Sequence, residues 1–178
     1  MILFLDQLPT GTVHRYGNVS AFGRVWCVEY ALISCKSSLD KCIVITGVRA
    51  YPEGEHVAAG SHDAEAAEVF DLIKDQMSGI TDVTIRCKIG GTDFQKRVWK
   101  ALVNIPTGHT ETYGSLAARI GSPRAVRAVG TAVGRNPIGL LLPCHRVVPA
   151  DRRQWPGNYG WGRLLKQKLL EAELTQLK

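Results

Sequence analysis

Lys88-Ile89-Gly90-Gly91 divides the chain into two stretches whose side-chain patterns cannot belong to one continuous architecture. Before it, apolar residues cluster in short runs rich in β-branched and aromatic side chains. After it, they recur at helical spacing. The break predicts two domains, residues 1–88 and 91–178, and an α+β fold overall. A length of 178 residues suffices for one large or two small domains. The 45% hydrophobic content is enough to fill their cores.

In the first stretch, residues 23–34 (GRVWCVEYALIS) and 42–49 (CIVITGVR) have strand composition. A polar turn over 36–40 would join them as a hairpin or meander. Residues 51–60 read as a loop. Ser61 is placed to cap a helix in which Ala66, Val69, Phe70, Ile73 and Met77 share a face, with Gly79 as its stop. Residues 83–87 offer one more strand. The apolar start Ile2-Leu3-Phe4-Leu5 is cut off at Asp6, too short for a signal-peptide core or a membrane span. The expectation is an intracellular protein with no membrane association. Five cysteines without a CxxC pair argue against a disulfide framework. No CxxC or HxxxH spacing supports a metal site.

Charge is distributed unevenly. Residues 1–90 carry 8 Lys+Arg against 11 Asp+Glu, and residues 91–178 carry 14 against 5. A strongly basic half points to a polyanion as partner, a solvated basic surface being the alternative.

The second stretch opens on Thr92-Asp93-Phe94-Gln95, a capping box whose helix has Phe94, Val98, Ala101 and Leu102 on one face and Pro106 as its expected end. A short helix over 113–120 stops at Gly121. Ser122-Pro123 then reads as a helix start, with the third helix over 124–133 and a stop at Gly134. Two short helices joined through one glycine make a helix-turn-helix candidate. The later helix is built mostly of small side chains, including Ala125, Ala128 and Gly130, from which Arg124, Arg127 and Arg135 project. Small residues permit close packing in a core. They equally permit close approach to a narrow DNA groove.

The chemistry centres on residues 136–148, NPIGLLLPCHRVV. A cysteine is a strong nucleophile only as thiolate, which a neighbouring base or cation favours. His145 supplies a base beside Cys144, and Arg146 supplies charge. An inert buried cysteine is the alternative reading of such a pair.

Pro143-Cys144-His145-Arg146-Val147 resembles the signature of the O6-alkylguanine-DNA alkyltransferase family. Other landmarks follow in the family's order: 91–95, Val98-Trp99, Ile105-Pro106, Thr112-Tyr113-Gly114, Ser122-Pro123, Arg127-Ala128-Val129-Gly130, Asn136-Pro137, Gly157-Asn158-Tyr159 and Leu169-Leu170-Glu171-Ala172-Glu173. The resemblance spans essentially all of 91–178. In the first half it is thin: Ser20-Ala21-Phe22-Gly23-Arg24 is similar to a family element, but Ala21 stands in place of a proline.

The resemblance implies a ribonuclease-H-like sheet-and-helix domain followed by a helical, winged-helix-like domain that binds double-stranded DNA containing O6-alkylguanine. Its helix-turn-helix would enter the minor groove, with Ser122, Arg124, Ala125, Arg127, Ala128, Gly130 and Arg135 on the DNA. Arg127 would fill the space left by a base flipped out of the stack. Cys144 would accept the alkyl group once and irreversibly, from O6-alkylguanine and less well from O4-alkylthymine. His145 would take the thiol proton through a water molecule, Glu173 would orient His145, and Tyr113 would protonate the departing base. Asn136 would fix the turn into the active-site loop. Val147, Asn158, Tyr159 and Gly160 would line the base pocket. No cofactor is implied. The implied protein is a monomer in the nucleus or cytoplasm, with cooperative binding along DNA left open.

Within the tail, helical phase separates two acids. Leu165, Leu169, Ala172 and Glu173 fall in one arc of roughly 100°, and Glu171 lies outside it. Three other functions compete: a binding-only relative, in which the cysteine is replaced; a transcription factor using the helix pair; and a cysteine hydrolase, for which no oxyanion donors stand out. The segment 149–156 (PADRRQWP) is longer than the family's usual one and carries two arginines.

Overall fold

The computed structural model describes residues 2–5, 7–8, 12–22, 24–34, 41–51, 64–78 and 84–176. They form two compact units. The first takes in residues 1–90 together with 137–139, and the second residues 91–136 and 140–178. Both α-helices and β-strands are present, as the mixed pattern predicts. No helix among the described residues is long and apolar enough to cross a membrane.

The first unit is built on five strands: β1 (Ile2–Leu5), β2 (Val13–Ala21), β3 (Arg24–Ser34), β4 (Lys41–Tyr51) and β5 (Ile85–Lys88). Their order is β1-β5-β4-β3-β2. β5 runs parallel to both β1 and β4, and β3 runs antiparallel to β4 and β2. Period-two alternation buries Trp26, Val28 and Tyr30 along β3 while Cys27 and Glu29 stay partly exposed. Helix α1 (Ala64–Ser78) packs on β2 and β3. Its Ala66, Val69, Phe70, Ile73 and Met77 are all buried, and the Phe70 ring lies 5.9 Å from Trp26.

Two strands escaped the sequence pattern because they are the edges of the sheet. β2 exposes His14, Arg15, Tyr16 and Ser20, so it lacks the apolar density of β3. β1, four residues weighed only as too short for a signal peptide or membrane span, is the opposite edge. The expected linker begins one residue later than Lys88, which closes β5. The turn over 36–40, the loop over 52–60, the Ser61 cap, the Gly79 stop, Cys35 and Val83 lie outside the described residues.

The second unit holds α2 (Asp93–Leu102), β6 (Glu111–Thr112), α3 (Tyr113–Arg119), α4 (Val126–Gly134), β7 (Val147–Val148) and α5 (Arg163–Gln176). The capping box forms: the Thr92 side chain accepts from the Gln95 N–H, and the Gln95 side chain accepts from the Thr92 N–H. Helix α2 buries Val98, Trp99, Ala101 and Leu102. Trp99 Nε1 donates to the Ala132 carbonyl at 2.7 Å, locking α2 to α4.

Helix boundaries differ from expectation at the end of α2 and the start of α4. Helix α2 stops at Leu102, not Pro106, because Asn104 and Ile105 donate three residues back and tuck Ile105 into the core. Ser122-Pro123 does not start α4. Ala125 N–H donates to the Ser122 carbonyl at 2.9 Å, so Pro123 sits inside a turn and the helix begins at Val126. The α3–α4 connection is therefore six residues, 120–125, rather than one glycine. Gly121 does adopt positive φ, +73°.

Candidate active site

Cys144 begins a short 3₁₀ turn with His145 and Arg146, and all three are buried. The Cys144 N–H donates to the Leu142 carbonyl at 2.7 Å. Asn136, just past the end of α4, donates Nδ2 to that same carbonyl at 2.7 Å and to Cys144 Sγ at 3.0 Å. Tyr159 brings its hydroxyl within 3.9 Å of the sulfur. Burial pushes the thiol pKa up. Hydrogen bonds with Asn136 and Tyr159 and the charge of Lys166 oppose that rise without cancelling it. The resting group is a thiol with partners for its thiolate already in place, so it needs a base.

The next residue, His145, carries an imidazole paired with an acid. His145 Nε2 lies 2.7 Å from Glu173 Oε1. Burial lowers the His145 pKa, outweighing the opposing pull of Glu173, and Arg146 and Lys166 lower it further. The imidazole is therefore neutral, with Nε2–H donating to the carboxylate. Its Nδ1 is left as an acceptor, buried and without a hydrogen-bond partner among the described residues.

Glu173 is held from several directions. Arg146 donates Nε to Oε1 at 3.0 Å and to Oε2 at 3.1 Å, and Nη2 to Oε1 at 2.8 Å. The Gly108 N–H donates to Oε2 at 3.1 Å. Burial would raise this carboxyl, but the His145 and Arg146 hydrogen bonds and charges bring it down to about 2. With His145 neutral, Arg146 is the cation that does this. Arg146 also donates to the Ile105 carbonyl at 2.6 Å and to Thr107 Oγ1 at 3.1 Å. Its charge thus serves Glu173 rather than the neighbouring thiol. Helix α5 presents Leu165, Leu169 and Glu173 inward, while Glu171 is exposed and bonded to Gln167.

The strand pair β6–β7 brings in Tyr113. Glu111 pairs with Val147 and Thr112 with Val148, which ties the start of α3 to the strand that follows the Cys144 turn. Thr112 caps α3 by accepting from the Ser115 N–H. Burial, then the proximity of Cys144, raises the Tyr113 pKa and keeps the phenol protonated. Tyr113, Gly130, Gly157 and Asn158 are among the residues around a cleft of about 560 Å³, within the usual range of small-ligand sites. Asn158 and Gly160 are exposed, whereas Val147 is buried and presents its carbonyl to Lys166.

Helix α4 buries Val129, Ala132 and Val133 and leaves Arg127 and Ala128 exposed, with Arg124 exposed on the preceding turn and Arg135 exposed just past the helix end. Ser122, Ala125 and Gly130 are partly exposed. Gly130 lies against the Tyr113 ring, where a Cβ would stand 3.8 Å from it.

Residues 93–175 match the family model described as "6-O-methylguanine DNA methyltransferase, DNA binding domain". The methylated-DNA–protein-cysteine methyltransferase of Methanosarcina mazei is 51% identical over 112 residues, which cover 62% of this chain and 70% of that one. The chain belongs to the methylated-DNA–protein-cysteine methyltransferase family. The relative of that name from Mycobacterium tuberculosis is 49% identical over 97 residues, 54% of this chain and 58% of its own length. That match spans less than two thirds of the relative. Among solved structures, Mycobacterium tuberculosis OGT in complex with DNA is 33% identical, with a TM-score of 0.67 and coverage of 91% of this chain and 94% of that one. The O6-methylguanine-DNA methyltransferase of Pyrococcus kodakaraensis, 23% identical with a TM-score of 0.59, covers 90% of this chain and 99% of that one and shares the fold.

Within this methyltransferase family site, two residues escaped the sequence reading. Lys166 is buried, donates Nζ to the Val147 carbonyl at 2.6 Å and to the Asn158 carbonyl at 3.4 Å, and stands 6.0 Å from the Tyr113 ring centroid. Arg146 was seen only as a charge near Cys144. A signal for Lys166 was present: Lys166, Leu169, Leu170 and Glu173 follow the i, i+3, i+4, i+7 stripe of a buried face. A lysine on such a stripe needs a partner.

Proposed function

We propose that this chain repairs DNA by transferring an alkyl group from O6 of guanine to Cys144, in one irreversible turnover. The observation that carries the proposal is the arrangement around the sulfur. Asn136 and Tyr159 contact Sγ, and neutral His145, the next residue in the chain, keeps an unpartnered Nδ1 while Glu173 holds Nε2. The relatives' name describes transfer from methylated DNA to a protein cysteine, and one structural relative was solved in complex with DNA.

In this reading His145 Nδ1 takes the thiol proton through a water molecule. The sulfur attacks the alkyl carbon, a C–S bond forms and the C–O6 bond breaks. Tyr113 delivers a proton to the departing guanine, so the proton lost by the thiol is matched by the one the base gains. Glu173 orients the imidazole and does not itself protonate, the logic of a nucleophile–base–acid triad. The thioether has no simple route back to thiol, and the reaction calls for no cofactor. O4-alkylthymine would react less well.

The target atom is inaccessible in a stacked duplex, so the nucleotide must be extruded. Helix α4, lying in the minor groove, would supply Arg127 to occupy the gap, with Ser122, Arg124, Ala125, Ala128, Gly130 and Arg135 against the DNA. Val147, Asn158, Tyr159 and Gly160 would receive the base. The first unit reads as ribonuclease-H-like and the second as winged-helix-like, in a monomeric intracellular protein. The test is stoichiometry on duplex DNA carrying one O6-methylguanine: product should plateau near one per protein molecule, and continued turnover would refute it.

A further inference from the structure

The segment 149–157 is held in shape by its own bonds. The Asp151 carboxylate accepts from the Arg153 N–H at 3.0 Å and from Arg153 Nε at 3.1 Å. The Gly157 N–H donates to the Gln154 carbonyl at 2.7 Å. At φ +84°, Gly157 lies so close to Pro149 that a Cβ would come within 2.6 Å of the proline ring. Only glycine closes the base of the loop in this way. Arg163, the first residue of α5, donates to the Trp155 carbonyl and ties the tip down. The segment is therefore a fixed spur, and Arg152, Arg153, Gln154 and Trp155 face solvent along it.

The spur stands at the cleft that holds Tyr113. Arg153, Gln154 and Arg163 line that cleft together with Tyr113 and Gly130, and among the described residues no carboxylate does. A base drawn toward Tyr113 brings its sugar and flanking phosphates to the rim, because they are covalently attached. Two guanidinium groups at such a rim suit phosphate oxygens, which they bind through parallel N–H donors.

We propose that Arg153 and Arg163 form a second DNA-contacting element, separate from α4, that grips the phosphates beside the extruded nucleotide. This rests on the alkyl-transfer reading above. Asp151 acts as its counterweight: the exposed Asp151–Arg153 pair offsets part of the charge that DNA would otherwise meet.

The test is duplex binding between about 50 and 200 mM salt, together with single-turnover transfer, on the whole chain and two variants. Arg153→Ala should weaken binding about three- to tenfold and reduce the slope of log affinity against log salt by about one. It should cost duplex repair more than transfer from a free O6-alkylguanine base. Asp151→Asn keeps an acceptor for the Arg153 N–H, removes the opposing charge and should tighten binding about two- to fivefold. An unchanged salt slope in Arg153→Ala, equal losses on duplex and free base, or weaker binding by Asp151→Asn would overturn the inference while leaving alkyl transfer intact. If the unaltered chain neither binds duplex DNA nor accepts an alkyl group, the alkyl-transfer reading itself fails, and the inference with it.

Discussion

Lys166 donates its ammonium to the backbone carbonyl of Val147 at 2.6 Å, three residues past Cys144. The same charge acts on Cys144. Burial lowers the Lys166 pKa to about 8, so it remains mostly cationic at neutral pH. Lys166→Met removes the charge and leaves a buried carbonyl without its donor, a loss of about 1–3 kcal/mol in stability. Single-turnover transfer at pH 7 should fall about tenfold, or about 1.4 kcal/mol. The deficit should shrink as pH rises and the thiol ionises unaided. A pH-independent deficit would assign Lys166 to the fold alone.

The tail acids give a paired comparison. Glu173→Gln takes the carboxylate from His145 and Arg146 together, breaking a buried ion pair at a cost of about 3–5 kcal/mol. It should slow transfer by at least about tenfold and raise the apparent pKa of Cys144. Glu171→Gln loses one exposed bond to Gln167 and should do neither. Thiol titration and single-turnover rates on both variants decide it, and sensitivity at Glu171 would overturn the assignment.

Acid should destabilise the protein in two steps. His145 has a folded-state pKa below its ordinary 6.5, so the unfolded chain binds more protons and stability falls as pH drops below about 6.5. Glu173, lowered from 4.5 to about 2, adds a second loss across that lower window. Urea midpoints for wild type and His145→Gln between pH 7.5 and 5 check the first step. The variant should have a flatter profile, and parallel profiles would contradict a neutral buried His145.

Arg127 is exposed on α4. Arg127→Ala should reduce repair of duplex DNA at least about tenfold more than transfer from a free base analogue, because its proposed work is holding the flipped state. Binding should also weaken with added salt. Equal losses on both substrates would place Arg127 in the fold instead.

Local chemistry made much of this legible. The Thr92–Gln95 capping box, the α1 face and the inward phase of Glu173 are set by short-range spacing, and the structure reproduces each. Legibility failed where tertiary packing decides. The edge strands β1 and β2 lack a two-faced apolar pattern. Ser122-Pro123 suits a turn as well as a helix start, and packing selects the turn. Lys166 and the grip of Arg146 on Glu173 connect residues 19 and 27 positions apart, beyond the reach of any local motif.

Acceptance of the alkyl group by Cys144 is tested most directly by the mass of its peptide. The protein is incubated with excess duplex DNA bearing O6-methylguanine, digested and measured beside Cys144→Ala. Direct transfer predicts one added methyl group on the Cys144 peptide, complete when about one lesion per protein has been repaired. Cys144→Ala should gain no methyl group yet still bind the duplex. Repair with an unmodified Cys144 peptide, or a methyl group on another residue, would contradict it.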